Sequence, residues 1–347
     1  MNINQHYISQ CLIRRFAKPN GTIESYNIKY GKWKTTGPGG IFSELGYNQL
    51  LAFGDFNNDL DDRLKTLEDT LPETLKAIDD AATRDESKLD SNIYEHLCWY
   101  CSFLWEMSPA QKAMAPVTFI AQTTLDFQHG KSTLLKAIGM TDDSIAALQR
   151  LVTNGSKLRI TGKNYQQLVY RLQFAQTIKY TYLQFRHSTK WTIYRSPIEL
   201  PLGDMALIKY HQPKPNVMMT VLPLSPALVL IGICPMTEVK NTNETTLYGR
   251  EMVNAEAEYI RGVICLSALF AIAAPTRFGD IKAIRNDAAK TTQFAEIVDL
   301  DSALAAGQTP IMSEMDFLIS PTTTEEYVKF VHSVVKPPSL QVPVTVA

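Results

Sequence analysis

VMMTVLPLSPALVLIGICPM, residues 217–236, decides what kind of fold this chain can have. The run is apolar and as long as the roughly 20 residues that cross a bilayer as a helix. Yet Pro223 and Pro226 stand inside it, with Ser225 between them. A proline inside a helix removes a hydrogen bond and clashes with the preceding turn. Strands tolerate proline at edges, ends and bulges. The run therefore reads as two short buried strands meeting at a turn, and the chain as one without a membrane span.

Working outward, WTIYR (191–195) and MALIKY (205–210) are further strand-like segments. Residues 253–274, VNAEAEYIRGVICLSALFAIAA, are predicted as one helix stopped by Pro275. The apolar half, 263–274, falls short of a span and reads as buried core helix. Upstream the character is helical. Leu60, Leu64, Leu67, Leu71 and Leu75 recur on one face between Asp59 and Ala82, with Pro72 a candidate break. Helices are predicted at 91–107, 109–124, 132–139, 142–153 and 163–187, with 83–92 a charged loop. At the N-terminus, Ser9 is placed to cap a short helix that ends at KPNG, 18–21. TIESYNIK (22–29) and KWKTTG (32–37) form a hairpin around Tyr30-Gly31, and GPGG (37–40) follows as a joint.

The fold class is α+β: an N-terminal motif and hairpin (4–40), a helical middle (55–187), and a short-strand β region followed by a buried helix (190–275). These make a single domain over 1–275. Residues 276–347 read as a C-terminal extension with one helix, EEYVKFVHSVV (325–335).

The net charge is -1, so no global basic field points to nucleic acid, although a local patch is compatible with it. Five cysteines, an odd number without framework spacing, argue against a disulfide scaffold and for a reducing compartment. The start, MNINQHYISQ, has neither a basic region nor an apolar core of the kind a signal peptide carries. The expected location is the cytoplasm.

Three stretches imitate known chemistry. GKS at 130–132 matches the second half of a phosphate loop, but the first glycine would stand at 125, which is Leu125. The reading is a helix stop at His129-Gly130 and a new helix from Ser132, so no nucleotide is expected. DFNNDLDD (55–62) resembles a calcium loop, but its sixth and twelfth positions are Leu60 and Thr66 rather than glycine and glutamate. It therefore reads as an acidic first turn before a helix, favoured by the helix dipole. HLCWYC (96–101) holds a C-x-x-C, while Cys11, Cys234 and Cys265 stand singly in apolar runs, so Cys98 and Cys101 read as buried helix thiols. His129, His187, His211 and His332 have no partner at ligand spacing and read as surface or loop residues. His6, Gln10 and Arg14 remain. Their spacing of four puts them along one face if the chain is helical there. Such a row can hold a phosphate or position a water; equally, His6 and Tyr7 can anchor the N-terminus in the core.

His6-Tyr7-x-x-Gln10-x-Leu12-x-x-x-Phe16, followed by a hairpin, resembles the opening of domain-of-unknown-function family 4238. Members come mostly from bacteria, with some in phages. The family's later features, an Asp-Asn-Pro-like turn, a Leu-Pro-Leu-Ser-Pro-like strand pair and a helix opening near an asparagine, correspond to Leu202–Ala206, Leu222–Pro226 and Asn254. Ser9 and Ala206 stand where the family pattern has proline. The resemblance spans residues 4–275. It implies a shared polar set in which His6, Asp204 and Ser225 come together, and it supplies no activity.

Two functional readings follow. In one, the chain is a nucleic-acid-acting hydrolase or toxin-like effector in a bacterial or phage setting, with antiphage defence conceivable. His6 is then general base or metal ligand, and Asp204 holds a divalent metal or orients the histidine. Gln10, Arg14, Arg15 and Ser225 bind substrate. In the other, the chain is a non-enzymatic binding or interaction protein, and His6, Asp204 and Ser225 form a structural network. Nucleic acid and protein are the partners these readings admit. The sequence specifies neither an oligomeric state nor a metal.

Overall fold

The structure, a computed structural model, describes residues 4–45, 47, 50–52, 55–57, 59–132, 135–136, 142–153, 169–170, 174, 177–212, 216–235 and 245–291. The chain opens with a short strand, β1 (Asn4–His6), and a five-residue helix, α1 (Gln10–Arg14). The expected hairpin follows as β2 (Ile23–Asn27) and β3 (Lys32–Thr36), and the Gly-Pro-Gly-Gly joint contains a 3-10 turn, Pro38–Gly40. β4 (Ser43–Leu45) pairs back onto β1, while β5 (Leu50–Ala52) and β6 (Asp55–Asn57) pair with each other. The helical middle comprises α2 (Asp59–Ala82), an edge strand β7 (Glu86–Lys88), α3 (Ser91–Glu106), α4 (Pro109–Gln128) and α5 (Asp142–Thr153). Residues 177–183 are helical and close in a wide π-type turn, Gln184–Ser188.

The β region is β8 (Lys190–Arg195), β9 (Leu202–Gly203), β10 (Ile208–Gln212), β11 (Val217–Ser225), β12 (Leu228–Pro235) and β13 (Thr246–Glu251). Then come α6 (Asn254–Ser267), β14 (Ala271–Ala274) and α7 (Ile281–Thr291). Six strands form one sheet in the order β10-β11-β12-β8-β13-β7, antiparallel except for the β8–β13 pair. A second sheet runs β3-β2-β14-β9.

The 217–236 run is the β11–β12 hairpin, as expected. Its two-residue alternation feeds two cores. Leu222, Leu224 and Leu230 join α2, α3 and the N-terminal motif on one face of the sheet. Val221, Val229 and Ile231 join Ala257, Ile260, Val263 and Ile264 of α6 on the other. Pro223 is tolerated because β10 pairs with β11 only as far as Val221, so the missing N–H falls where no neighbour asks for it. The register of β11 against β12 shifts between Pro223 and Ser225. Among the described residues, no helix is long and apolar enough to cross a membrane.

Three expectations need correction. Pro72 does not break α2, which runs through it. Leu71, Leu75 and Ile78 are sealed in the main core, and this anchoring outweighs the roughly 3 kcal/mol a helical proline costs. The 253–274 run is not one helix: α6 ends at Ser267 and Ala271–Ala274 is a central strand. Asp204, described below, forces the change. The 83–92 segment is not all loop, since Glu86–Lys88 edges the large sheet. α7 lies beyond the predicted domain end and packs on α6, where a Cβ at Gly262 would come within 3.1 Å of the Ala288 Cβ.

The phosphate-loop imitation ends α4 as predicted: Gly130 has φ +65 and its N–H meets the Phe127 carbonyl, while Lys136 N–H already bonds Ser132 O. The side chains of 55–62, residues 163–168 and the 325–335 helix lie outside the described residues.

Candidate functional site

β1 delivers His6, and the chain then turns so that Ser9 can cap α1, its Oγ accepting the Cys11 N–H at 3.2 Å. His6 is not on the helix, yet the expected row forms. The Gln10 Nε2 lies 3.4 and 3.5 Å from the two ring nitrogens of His6, too long and too evenly shared for a strong bond to either. Arg14 Nη2 donates to Gln10 Oε1 at 3.0 Å. The Gly-rich turn borders this row, since a Cβ on Gly39 would sit 3.9 Å from Gln10 Nε2. Arg15 points elsewhere. It makes a two-pronged pair with Asp79, at 2.9 and 2.6 Å, that ties α1 to α2.

Asp204 follows β9 and is 1% exposed. Its carboxylate accepts the backbone N–H groups of Leu269 at 2.8 Å, Phe270 at 2.6 Å and Ala271 at 3.4 Å. Those amides belong to the turn between α6 and β14. Arg285 of α7 grips the same turn from its carbonyl side, donating to Cys265 O at 2.5 Å and Ala268 O at 2.8 Å. Gly203 allows the close approach: a Cβ there would meet the Ala268 Cβ at 3.3 Å and the Ile264 carbonyl at 3.4 Å. Burial pushes the Asp204 carboxyl up to about 6 against the opposing pull of the amides. The N-terminal residue that senses this charge is Tyr7. Its phenol is raised by burial first, then by Asp204 and Glu44, and its ring packs 4.8 Å from that of Tyr47. Ser225 is used within its own hairpin, where Oγ accepts the Ala227 N–H at 3.3 Å. Of the six predicted residues, His6, Gln10 and Arg14 are thus linked to one another, while Arg15, Asp204 and Ser225 each bond other partners.

Residues 4–130 match the model of a family described as a protein of unknown function, DUF4238. Over this segment the chain is similar to that family. No curated protein and no solved structure matches the chain. The matched segment carries the His6–Gln10–Arg14 row, the hairpin and helices α1 to α4, and it stops short of Asp204 and Ser225.

Two charged clusters were missed by sequence reasoning. Glu24, within the matched segment, is 4% exposed on β2. It takes Lys18 Nζ at 2.7 Å, Arg277 Nε at 2.9 Å and the Thr35 hydroxyl. Those two cations hold its carboxyl down at about 2. Glu106, at the end of α3, is buried and accepts the hydroxyls of Thr177 at 2.6 Å and Thr181 at 2.5 Å. Nearby, Lys209 donates to Gln184 Oε1 at 2.8 Å between the Trp105 and Phe185 rings. Burial raises the glutamate and lowers the lysine, and each charge opposes the shift of the other. Nothing in the spacing of Glu106, Thr177 and Lys209 announces their meeting. The i,i+4 spacing of Thr177 and Thr181 was the available hint.

The C-x-x-C thiols are sealed in α3, free, and raised by burial, the opposite of a reactive pair. Their neighbour His96 joins α3 to α2 through Leu67 O at 2.8 Å and the Thr74 hydroxyl at 2.7 Å. Among the described residues, no group of three or more His, Cys, Asp or Glu side chains is arranged to hold a metal.

Proposed function

We propose that this chain works by binding a partner and that its His/Asp polar residues are structural. The supporting observation is Asp204. A carboxylate that serves as base, histidine orienter or metal ligand needs lone pairs directed at the reacting groups. That of Asp204 is buried and turned onto three backbone amides. Its role in this reading is to hold the α6–β14 turn, as backbone satisfaction demands in a sealed site.

A second reading has its own support. The His6–Gln10–Arg14 row beside the Gly-rich turn has the residue types for a phosphodiester site, with His6 as base and Arg14 on phosphate. A nuclease assay separates the two. Purified wild type and His6→Ala are incubated with labelled DNA and RNA in magnesium, manganese or EDTA. The binding reading expects no cleavage by either. Cleavage that wild type performs and His6→Ala loses, at unchanged melting temperature, would overturn it in favour of a hydrolase.

A further inference from the structure

Tyr30 and Phe270 are large aromatic side chains left mostly in solvent, 68% and 56% exposed. They belong to neighbouring turns. Ile28 N–H bonds Phe270 O at 3.0 Å, so Phe270 lies opposite Ile28 and two residues from Tyr30. Both turns are held firmly. Asn27 fixes the hairpin tip through its side chain on Tyr30 N–H at 2.9 Å and its carbonyl on Gly31 N–H at 2.8 Å. Asp204 and Arg285 fix the Phe270 turn from within.

Lysines stand at this end of the sheet. Lys29 Nζ lies 5.7 Å from the Tyr30 ring centre. Lys32 sits across from Asn27, whose other neighbour is Ala271, and Lys34 follows two residues on along the edge strand. Lys282 of α7 reaches the tip, its Nζ 3.8 Å from where a Gly31 Cβ would stand. All four lysines are exposed, and none has an acidic partner among the described residues. Asp280, just before α7, accepts the backbone N–H of Lys282 at 2.9 Å and caps the helix. By register Lys32 and Lys34 share the face of Asn27 and Ala271, while Phe270 shares that of Ile28, so the cations flank the tip on both faces and give it a local positive charge in a chain whose net charge is -1.

We propose that the β2–β3 tip and the Leu269–Ala271 turn form a binding surface for single-stranded nucleic acid. Tyr30 and Phe270 are its stacking faces, and Lys29, Lys32, Lys34 and Lys282 its phosphate contacts. Rigid exposed rings interleaved with cations are what sequence-tolerant binding of unpaired bases requires. This deepens the binding reading above and rests on it, naming the surface and the partner class.

The test is fluorescence anisotropy of labelled oligo-dT and oligo-U with the full chain, in EDTA, across a salt series. Intact oligonucleotide is verified on a gel. Binding is expected to weaken with salt with a slope of about -2 to -3 in log units for three or four phosphate contacts. Tyr30→Ala and Phe270→Ala are each expected to weaken it about ten-fold, while Tyr30→Phe keeps it. Reversing the four lysines to glutamate abolishes it, with the melting temperature unchanged for these exposed sites. Absence of binding overturns the surface, as does binding that the ring and lysine variants leave intact. So does association with phosphatidylcholine–phosphatidylserine vesicles in place of the oligonucleotides, which makes the patch a lipid contact. A parallel magnesium arm distinguishes the two levels: shortened oligonucleotide there sinks the binding-only reading, while the EDTA arm still decides the surface.

Discussion

Asp204 and Glu24 are both buried carboxylates, yet they are held in opposite ways. Asp204 faces backbone amides with no cation in bonding contact among the described residues, and burial drives its carboxyl up to about 6. Glu24 faces a lysine and an arginine and is held down at about 2. Accessible surface alone would class them together. What differs is whether the charge is matched by a charge or by dipoles, and how far its partners reach into water. The Lys18 and Arg277 side chains are 33% and 57% exposed, so the Glu24 cluster is a lid of ion pairs at the surface.

The largest effect should come from emptying the Asp204 site. Asp204→Ala leaves the amides of residues 269–271 without their buried acceptor, and each orphaned group costs about 1–3 kcal/mol. A loss of about 3 kcal/mol or more in urea unfolding is expected, and a loss below 1 kcal/mol would mean the turn relaxes to water. Glu24→Ala should cost less, about 1 kcal/mol, because its cations stay solvated.

Acidity should separate the two more sharply. The folded-state pKa of Asp204 is raised, so its contribution is most favourable below the ordinary value of 3.8 and is lost as pH rises through about 6. That of Glu24 is lowered, so its contribution is present above the ordinary 4.5 and is lost as pH falls towards about 2. Stability differences between wild type and Asp204→Asn, and between wild type and Glu24→Gln, measured from pH 2.5 to 7, should slope in opposite directions. Parallel slopes would show that the two carboxylates share one environment.

Salt gives a subtler contrast. Raising ionic strength should shrink the cost of Glu24→Gln and leave that of Asp204→Asn nearly unchanged, since only the first is open to screening. The smallest effect is expected from Arg15→Ala. Its pair with Asp79 is partly exposed at both ends, and a change of about 1 kcal/mol or less in thermal melts is predicted.

The sequence made the strands legible where alternation and proline placement agreed, as in 217–236. It made the His6–Gln10–Arg14 row legible through spacing, even though His6 lies on a strand. The Gly130 helix stop was readable because a phosphate loop cannot do without its first glycine. The false helix over 253–274 shows where local reading fails. ALFAIAA has no breaker, and the α6–β14 turn is imposed by a carboxylate more than 60 residues upstream in sequence. Glu24 was hidden for the same reason: its partner Arg277 is 253 residues away. The Glu106–Lys209 meeting is equally nonlocal. Hydrophobic periodicity reports which face is buried, but it carries no record of which distant polar group arrives there.

The pairing of β2 with β14 has a temporal consequence. The hairpin leaves the ribosome well before its partner strand, so its inner edge stays open until residues 271–274 emerge to pair with Asn27 through Glu24. Contacts that close so long a loop are slow to form. During synthesis the nascent chain must therefore carry an uncovered strand edge until β14 is made, a stage at which it depends on chaperones or on fast helical collapse to avoid pairing with the wrong neighbour.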